Sequence, residues 1–108
     1  MMNLNEKIFI NEASSATISD IFDNYKGDVI TLQASGDASA FSAKLEGRSD
    51  INADWSELAM INLKDLSVNN AIATTDVYQS GLTGVTQIRV NLTSVSGGSV
   101  TIFGRVSN

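Results

Sequence analysis

This sequence of 108 residues contains no cysteine and no histidine. Disulfides, thiolate or imidazole metal sites, and triads that pair a nucleophile with a histidine base are therefore excluded. Proline is also absent, and aromatic residues make up only 6% of the chain. Without a covalent staple, stability must come from packing and hydrogen bonding. We expect a protein that is not an enzyme and that holds no cofactor.

Positive charge and long apolar runs are scarce as well. The chain has 7 Lys and Arg against 12 Asp and Glu, for a formal charge of −5, which argues against nucleic acid as a partner. Apolar runs such as "LAMI" at 58–61 fall far short of the roughly 20 residues that cross a membrane. The N-terminal "MMNLNEKIFINEASS" lacks the pattern of a secretory signal. These features predict a soluble protein made in the cytoplasm.

What the sequence does contain is a strict alternation of apolar and polar residues. It runs through "DVITLQA" at 28–34, "AFSAKLEG" at 40–47, the segment 85–95, and "VTIFGRVS" at 100–107. Such alternation is typical of half-buried strands. Shorter strands are predicted at 7–10, 58–63, 68–74 and 76–80. The scarcity of proline and of strand lysines indicates that sheet edges are covered within the fold or paired in an assembly.

The last two strands are predicted to form a hairpin around "SGG" at 96–98. Opposed residues share a face, so a three-residue loop would unite the apolar sides by placing Leu92 opposite Ile102 and Val90 opposite Gly104. A five-residue loop would bring the same faces of the two strands together and remains an alternative.

The segment "SSATISDIFDNYKGD" at 14–28 resists assignment. Ile18, Ile21, Phe22 and Tyr25 fit the spacing of a short helix near residues 18–25. The same residues also allow a strand at 16–18 followed by a loop. The whole chain is predicted to be one all-β domain, residues 1–108. We expect an antiparallel, jelly-roll-like β-sandwich of about eight short strands.

One polar cluster, "SDINADWSE" at 49–57, has the spacing of a possible site. Asp50, Asn52 and Asp54 repeat at the interval of the first ligands in a helix–loop–helix calcium loop. However, Trp55 stands where that loop needs glycine, and Ile61 where it needs glutamate. We therefore favour a polar turn over a metal site. Two facing carboxylates, as a small glycoside hydrolase would need, remain the least favoured alternative.

Two groups of residues are candidates for binding. Trp55 and Tyr78 are candidate platforms for stacking a sugar ring. Phe103, Arg89 and Arg105 fall on the polar face of the predicted hairpin, and an aromatic residue flanked by arginines is typical of interface centres. Cover by the second layer of the sandwich or by a long loop is the alternative for that face.

The order of these features resembles small β-sandwich structural proteins of tailed bacteriophages and prophages. The matching pieces are "LEGRSD" at 45–50, "WSEL" at 55–58, "YQSGLTG" at 78–84, "IRV" at 88–90 and "SGGSVTIFG" at 96–104. The likeness implies a virion protein of the tail, baseplate or fibre, often a symmetric oligomer, in some cases with a carbohydrate-binding surface.

We therefore expect a non-enzymatic virion module that acts by self-association and by docking to other virion proteins. It would be made in the host cytoplasm and carried in the virion. The alternative is a carbohydrate-binding module that recognises a cell-surface glycan, which would serve receptor binding.

Overall fold

The computed structural model describes residues 5–108, and in these residues all regular structure is β-strand. The strands are β1 (Glu6–Ala13), β2 (Thr17–Ile18), β3 (Phe22–Asp23), β4 (Val29–Gly36), β5 (Ala40–Arg48), β6 (Ser56–Glu57), β7 (Met60–Asn62), β8 (Val68–Asn69), β9 (Val77–Gly81), β10 (Gln87–Ser96) and β11 (Val100–Ser107).

The strands form two antiparallel sheets. The six-stranded sheet has the order β1-β11-β4-β9-β7-β8, and the five-stranded sheet has the order β2-β10-β5-β6, with β3 also pairing with β10. If β2 and β3 are counted as one strand and the β7–β8 hairpin as an insertion, eight strands remain. Their order in the two sheets is that of a jelly roll. The predicted all-β, jelly-roll-like sandwich is confirmed.

The core lies between the sheets and consists of the apolar residues that the alternation places on one side of each strand. Ile30, Leu32 and Leu45 are at most 1% exposed, as are Ile88, Val90, Leu92 and Ile102. A register shift after Ile8 in β1 turns both Phe9 and Ile10 inward, where they are buried. The inward faces predicted for the four long strands are therefore confirmed.

The predicted hairpin between β10 and β11 is wrong. β10 pairs with β5 in the five-stranded sheet, whereas β11 pairs with β4 in the other. The "SGG" loop is a corner where the chain crosses between layers, with φ values of 71° at Gly97 and 141° at Gly98. Alternation specifies which face of a strand is buried, but not which strand lies beside it.

A second corner lies directly against this one. β4 crosses to β5 through residues 37–39, and backbone hydrogen bonds join Asp37 and Ala38 to Ser99 at 3.1 Å and Ser39 to Ser96 at 3.0 Å. The Asp37 carboxylate also accepts a hydrogen bond from the Ser99 amide at 2.9 Å. The two long segments β4–β5 and β10–β11 therefore bend together as one antiparallel ribbon.

The possible helix near residues 18–25 is also wrong, and the strand alternative is confirmed in part. Thr17 and Ile18 pair with Leu92 and Asn91 of β10, while Phe22 pairs with Ile88. Ile18 and Ile21 remain 52% and 46% exposed, so a helix here would have lacked the packed apolar face that keeps short helices formed. Instead, pairing with β10 provides hydrogen-bond partners for backbone N–H and C=O groups of this segment.

Candidate functional site

The outer face of the five-stranded sheet carries a cluster around Trp55. The guanidinium carbons of Arg48 and Arg89 lie 4.2 and 4.3 Å from the centre of the Trp55 ring. Both arginines project outward, because residues 46, 48, 87 and 89 alternate with buried residues in β5 and β10. These distances define cation–π contacts that hold the 49–54 turn against the sheet.

Hydrogen bonds extend this cluster sideways. The Arg89 Nε donates to Glu46 Oε1 at 2.7 Å, and the Arg48 Nε donates to Gln87 Oε1 at 2.9 Å. The Gln87 amide in turn donates to Asp23 at 2.9 Å. The Nε groups of both arginines are thus engaged within the protein.

This geometry bears on Trp55 as a sugar platform. The indole is partly buried, and the two guanidinium groups already lie against it. A sugar would have to displace those cations to stack on the faces they cover. The structure therefore favours a packing role for Trp55.

Tyr78 does not fit its predicted role. It is 2% exposed, on the inward face of β9, and its hydroxyl hydrogen-bonds to Thr74 at 2.5 Å. A stacking platform must be open to solvent, so the prediction for Tyr78 is wrong. In β9, Tyr78 and Ser80 face inward, whereas Val77 and Gln79 face outward. Each face has one apolar and one polar residue, so the sequence pattern does not show which face is buried.

The polar stretch Asp50–Asp54 forms the predicted turn. The Asp50 carboxylate accepts a hydrogen bond from the Asn52 amide at 2.9 Å, and the Asp50 carbonyl accepts one from Ala53 at 2.9 Å. This is the local bonding that aspartate makes in turns. Among residues 5–108 no group of three or more His, Cys, Asp or Glu side chains is arranged to hold a metal ion.

The structure separates the three predicted interface residues. Phe103 and Arg105 point outward from β11 in the six-stranded sheet, whereas Arg89 lies on the outer face of the other sheet, against Trp55. The shared face expected for all three rested on the hairpin, so that grouping is wrong. The alternative that the second layer covers Phe103 is also wrong, because the second layer packs on the opposite side of β11.

Phe103 and Arg105 instead belong to two rows that cross the outer face of the six-stranded sheet. The strand registers bring Ile8, Phe103, Gln33 and Val77 side by side in one row. The other row crosses all six strands and consists of Glu6, Arg105, Thr31, Gln79, Ile61 and Val68. The only charged residues in these rows, Glu6 and Arg105, form an ion pair at 2.6 Å.

Exposed apolar residues concentrate where this face meets the β7–β8 hairpin. We call Ile61, Leu63, Leu66 and Val68 the apolar edge cluster; they are 43%, 40%, 72% and 69% exposed. Leu66 has a φ of 62°, in the left-handed region that is costly for a branched side chain. The strand predicted at 58–63 contained two of these residues, but its pattern did not show which would stay exposed.

A short hydrogen-bonded network lies beneath this hairpin. Asp76 accepts hydrogen bonds from the Thr74 hydroxyl at 2.6 Å and from the Asn62 amide at 3.2 Å. The hydrogen bond from Thr74, and to a smaller extent the one from Asn62, hold the pKa of the Asp76 carboxyl below its ordinary value. In the adjoining loop the hydroxyl and then the backbone amide of Ser67 lower the pKa of Asp65 in the same way.

A surface groove of about 360 Å³ lies beside the loop after β3. Phe22 and Val106 contribute apolar lining, and Asp23, Tyr25 and Lys26 contribute polar groups. Asp23 is its one acidic side chain, so the groove lacks the facing pair that a glycoside hydrolase needs. The sequence did not show this groove, because Tyr25 fitted both a short helix and a loop, and only the structure places it at an exposed loop tip.

The described part of the chain includes no helix with the length and apolarity required to cross a bilayer.

The fold defines a class: a small antiparallel β-sandwich whose strands follow jelly-roll order in two packed sheets. Within that class, the chain belongs to the XepA family, whose model matches residues 3–106.

Two solved structures share the fold. The SPBc2 prophage-derived protein YomS aligns with a TM-score of 0.85 at 22% identity, over 94% of this chain and 89% of YomS. The PBSX exported protein XepA aligns with a TM-score of 0.87 at 15% identity, over 94% of this chain and 36% of XepA. The chain thus spans about a third of XepA. No curated protein matches the sequence significantly. Both proteins that share the fold come from prophages, in agreement with the resemblance noted in the sequence.

Proposed function

We propose that this chain is a non-enzymatic structural module of a prophage-encoded particle. It associates with further copies of itself through the outer face of the six-stranded sheet and the apolar edge cluster. The observation that carries this proposal is the concentration of exposed apolar side chains on a sheet face that no other layer covers. Contiguous exposed apolar surface on a small domain is typical of interaction sites.

The charge distribution favours a second copy as the occupant. The chain as a whole carries a charge of −5, so two copies repel at most relative orientations. The two rows on this face contain a single acid and a single base, Glu6 and Arg105, which neutralise each other. The two rows therefore carry no net charge, and two copies that meet along them do not face the repulsion of the whole chain.

The size of the face is compatible with a weak to moderate association. The strand residues of this sheet span a projected area of roughly 500 Å² at about 3.3 Å per residue and about 4.8 Å between strands. Stable interfaces bury about 800 Å² per partner. The face of this sheet, which already includes β7 and β8, is smaller than that, so association should depend on concentration.

Leu66 adds an independent argument. An exposed leucine in the left-handed region costs about 1 to 2 kcal/mol relative to glycine, and burial in the core does not offset this cost. Such strain is retained most often at binding sites. In the proposed assembly the Leu66 side chain is buried by the neighbouring copy.

The proposed location is the virion, reached from the host cytoplasm, with other virion proteins as further partners. A tail, baseplate or fibre position is the specific form that this proposal takes. It is supported by the XepA family membership and by the prophage origin of YomS and XepA.

Sedimentation velocity over a wide concentration series tests the association. Val68→Asp places a charge in the apolar edge cluster, and Ile51→Asp is its matched control, because the two side chains are 69% and 68% exposed on different surfaces. We expect the wild type and Ile51→Asp to associate as concentration rises. Val68→Asp should weaken the Kd at least tenfold, or about 1.4 kcal/mol, since one apolar contact is lost and a charge is desolvated.

A second variant separates association from folding. Leu66→Gly relieves the left-handed strain, so the variant should be at least as stable as the wild type while it associates more weakly. A wild type that stays monomeric throughout would contradict the proposal. Equal effects of Val68→Asp and Ile51→Asp would contradict the assignment of this face.

A further inference from the structure

The groove beside the loop after β3 has the size of a small-molecule site. Its volume of about 360 Å³ falls in the range of about 300 to 1,000 Å³ that such sites occupy. Phe22 and Val106 form an apolar part, and Phe22 is held in place by its contact with the Phe9 ring, with centroids 6.1 Å apart. Polar groups surround this apolar part.

The loop that borders the groove is held rigidly by Asn24. This residue is 8% exposed, and its side-chain amide donates to the carbonyls of Gly27 at 3.0 Å and Val85 at 2.8 Å. Its side-chain oxygen accepts from the Gly27 amide at 2.9 Å, and its backbone amide donates to Thr86 at 2.8 Å. These bonds close the turn 24–27 on itself and fasten it to the chain beyond β9.

Tyr25 stands at the tip of this turn and is 89% exposed. The other tyrosine, Tyr78, is buried in the core, and Trp55 is covered by arginines. A rigid loop that presents an exposed aromatic ring loses little conformational entropy when a ligand stacks on that ring. The local structure is therefore arranged for contact with a flat, partly apolar ligand.

The polar groups of the groove indicate the class of that ligand. Asp23 accepts one hydrogen bond from Gln87 through Oδ1, and a carboxylate has capacity for further donors. Lys26 is exposed and supplies donors. One acid and one base leave the groove without a dominant charge, which disfavours phosphates and anionic lipid headgroups, as does the charge of −5 on the chain.

We propose that this groove binds a saccharide. The C–H face of one sugar ring stacks on Tyr25, hydroxyl groups bond to Asp23 and Lys26, and an apolar substituent such as an acetamido methyl contacts Phe22 and Val106. This site goes beyond self-association and does not depend on it, because the groove lies apart from the apolar edge cluster.

Amide chemical shifts of the 15N-labelled full chain test this assignment. The probes are glucose, galactose, rhamnose, N-acetylglucosamine and its β-1,4-linked disaccharide, each titrated to high millimolar concentration. We expect at least one probe to bind with a millimolar Kd and to shift amides at residues 22–27 and 106–107. Tyr25→Ala should weaken binding at least tenfold, and Tyr25→Trp should restore it.

Ile51→Ala is the matched control, since Ile51 is also exposed, at 68%, but lies outside both the groove and the apolar edge cluster. Its saccharide affinity should equal that of the wild type. The proposal is overturned if no probe shifts the groove amides, or if Tyr25→Ala binds as well as the wild type. It is also overturned if phosphatidylcholine vesicles, and no saccharide, shift the amides of residues 22–27.

Discussion

Substitution of Gly98 by alanine tests the corner between the sheets. A Cβ at Gly98 would lie 2.6 Å from Asp37 Oδ1 and 2.7 Å from the Asp37 carbonyl oxygen. The Asp37 backbone is hydrogen-bonded to Ser99, the residue after Gly98, so the Asp37 carbonyl cannot move freely away from an added Cβ. The φ of 141° adds a conformational cost. In the hairpin that the sequence predicts, Gly98→Ala would incur only the conformational cost of a positive φ, without a clash against Asp37.

Alanine substitutions at two other glycines separate the cost of a positive φ from the cost of a steric clash, and so set the expected loss of stability for Gly98→Ala. Gly84 has a φ of 83° and nothing within 4 Å of its added Cβ, so alanine there should cost about 1 kcal/mol. Gly81 has neither a contact within 4 Å nor a positive φ, so alanine should change stability by less than about 0.5 kcal/mol or raise it slightly. Gly98→Ala combines strain with overpacking and should cost about 2 to 5 kcal/mol.

Urea denaturation of the three variants and the wild type measures these free energies, and thermal melts supply a second estimate. At about 4 °C or more per kcal/mol for a domain of this size, Gly98→Ala should lower the Tm by at least about 8 °C. If Gly98→Ala costs no more than Gly84→Ala, the close packing of the two corners is refuted.

Two further predictions concern the outer faces. Arg89→Ala should shift the emission of Trp55, the single tryptophan, to longer wavelength and cost about 1 to 2 kcal/mol, since a cation–π contact and the ion pair with Glu46 are lost. Lys44→Ala breaks only an exposed ion pair and should leave the emission unchanged. The pKa of Asp76 is lower in the folded state than in the unfolded chain, so its ionised carboxylate stabilises the fold at neutral pH. The wild type should therefore be more stable than Asp76→Asn at neutral pH, and this difference in unfolding free energy should shrink in denaturation series as pH falls below about 4. Unchanged emission in Arg89→Ala, or a gap that is constant with pH, would contradict the respective contacts.

The faces of the strands were predictable from the sequence, but their neighbours were not. Ile88, Val90 and Leu92 point inward as expected, because alternation with period two encodes burial directly. The partner of β10 depends on contacts with β5, which starts 47 residues earlier in the chain. A glycine pair between two alternating runs serves a hairpin and a corner equally well.

The candidate site shows the same limit. Phe103 and Arg105 share an outward face because they lie on one strand, whereas Arg89 was assigned to them through a pairing that does not exist. Alternation did not show that Tyr78 is buried, because apolar Val77 faces outward and polar Ser80 faces inward in the same strand. The exposure of Tyr25 depends on the bonds that Asn24 makes to Gly27 and Val85, and no local pattern shows the more distant of these.

The central claim is that the outer face of the six-stranded sheet joins copies of the chain. Methyl NMR with a soluble paramagnetic agent tests it most directly, since the agent broadens only methyl groups that it can approach. We predict that Ile61 and Val68 become protected as protein concentration rises, while Ile51 stays accessible. Protection that is independent of concentration, or that appears at Ile51 instead, would contradict the claim.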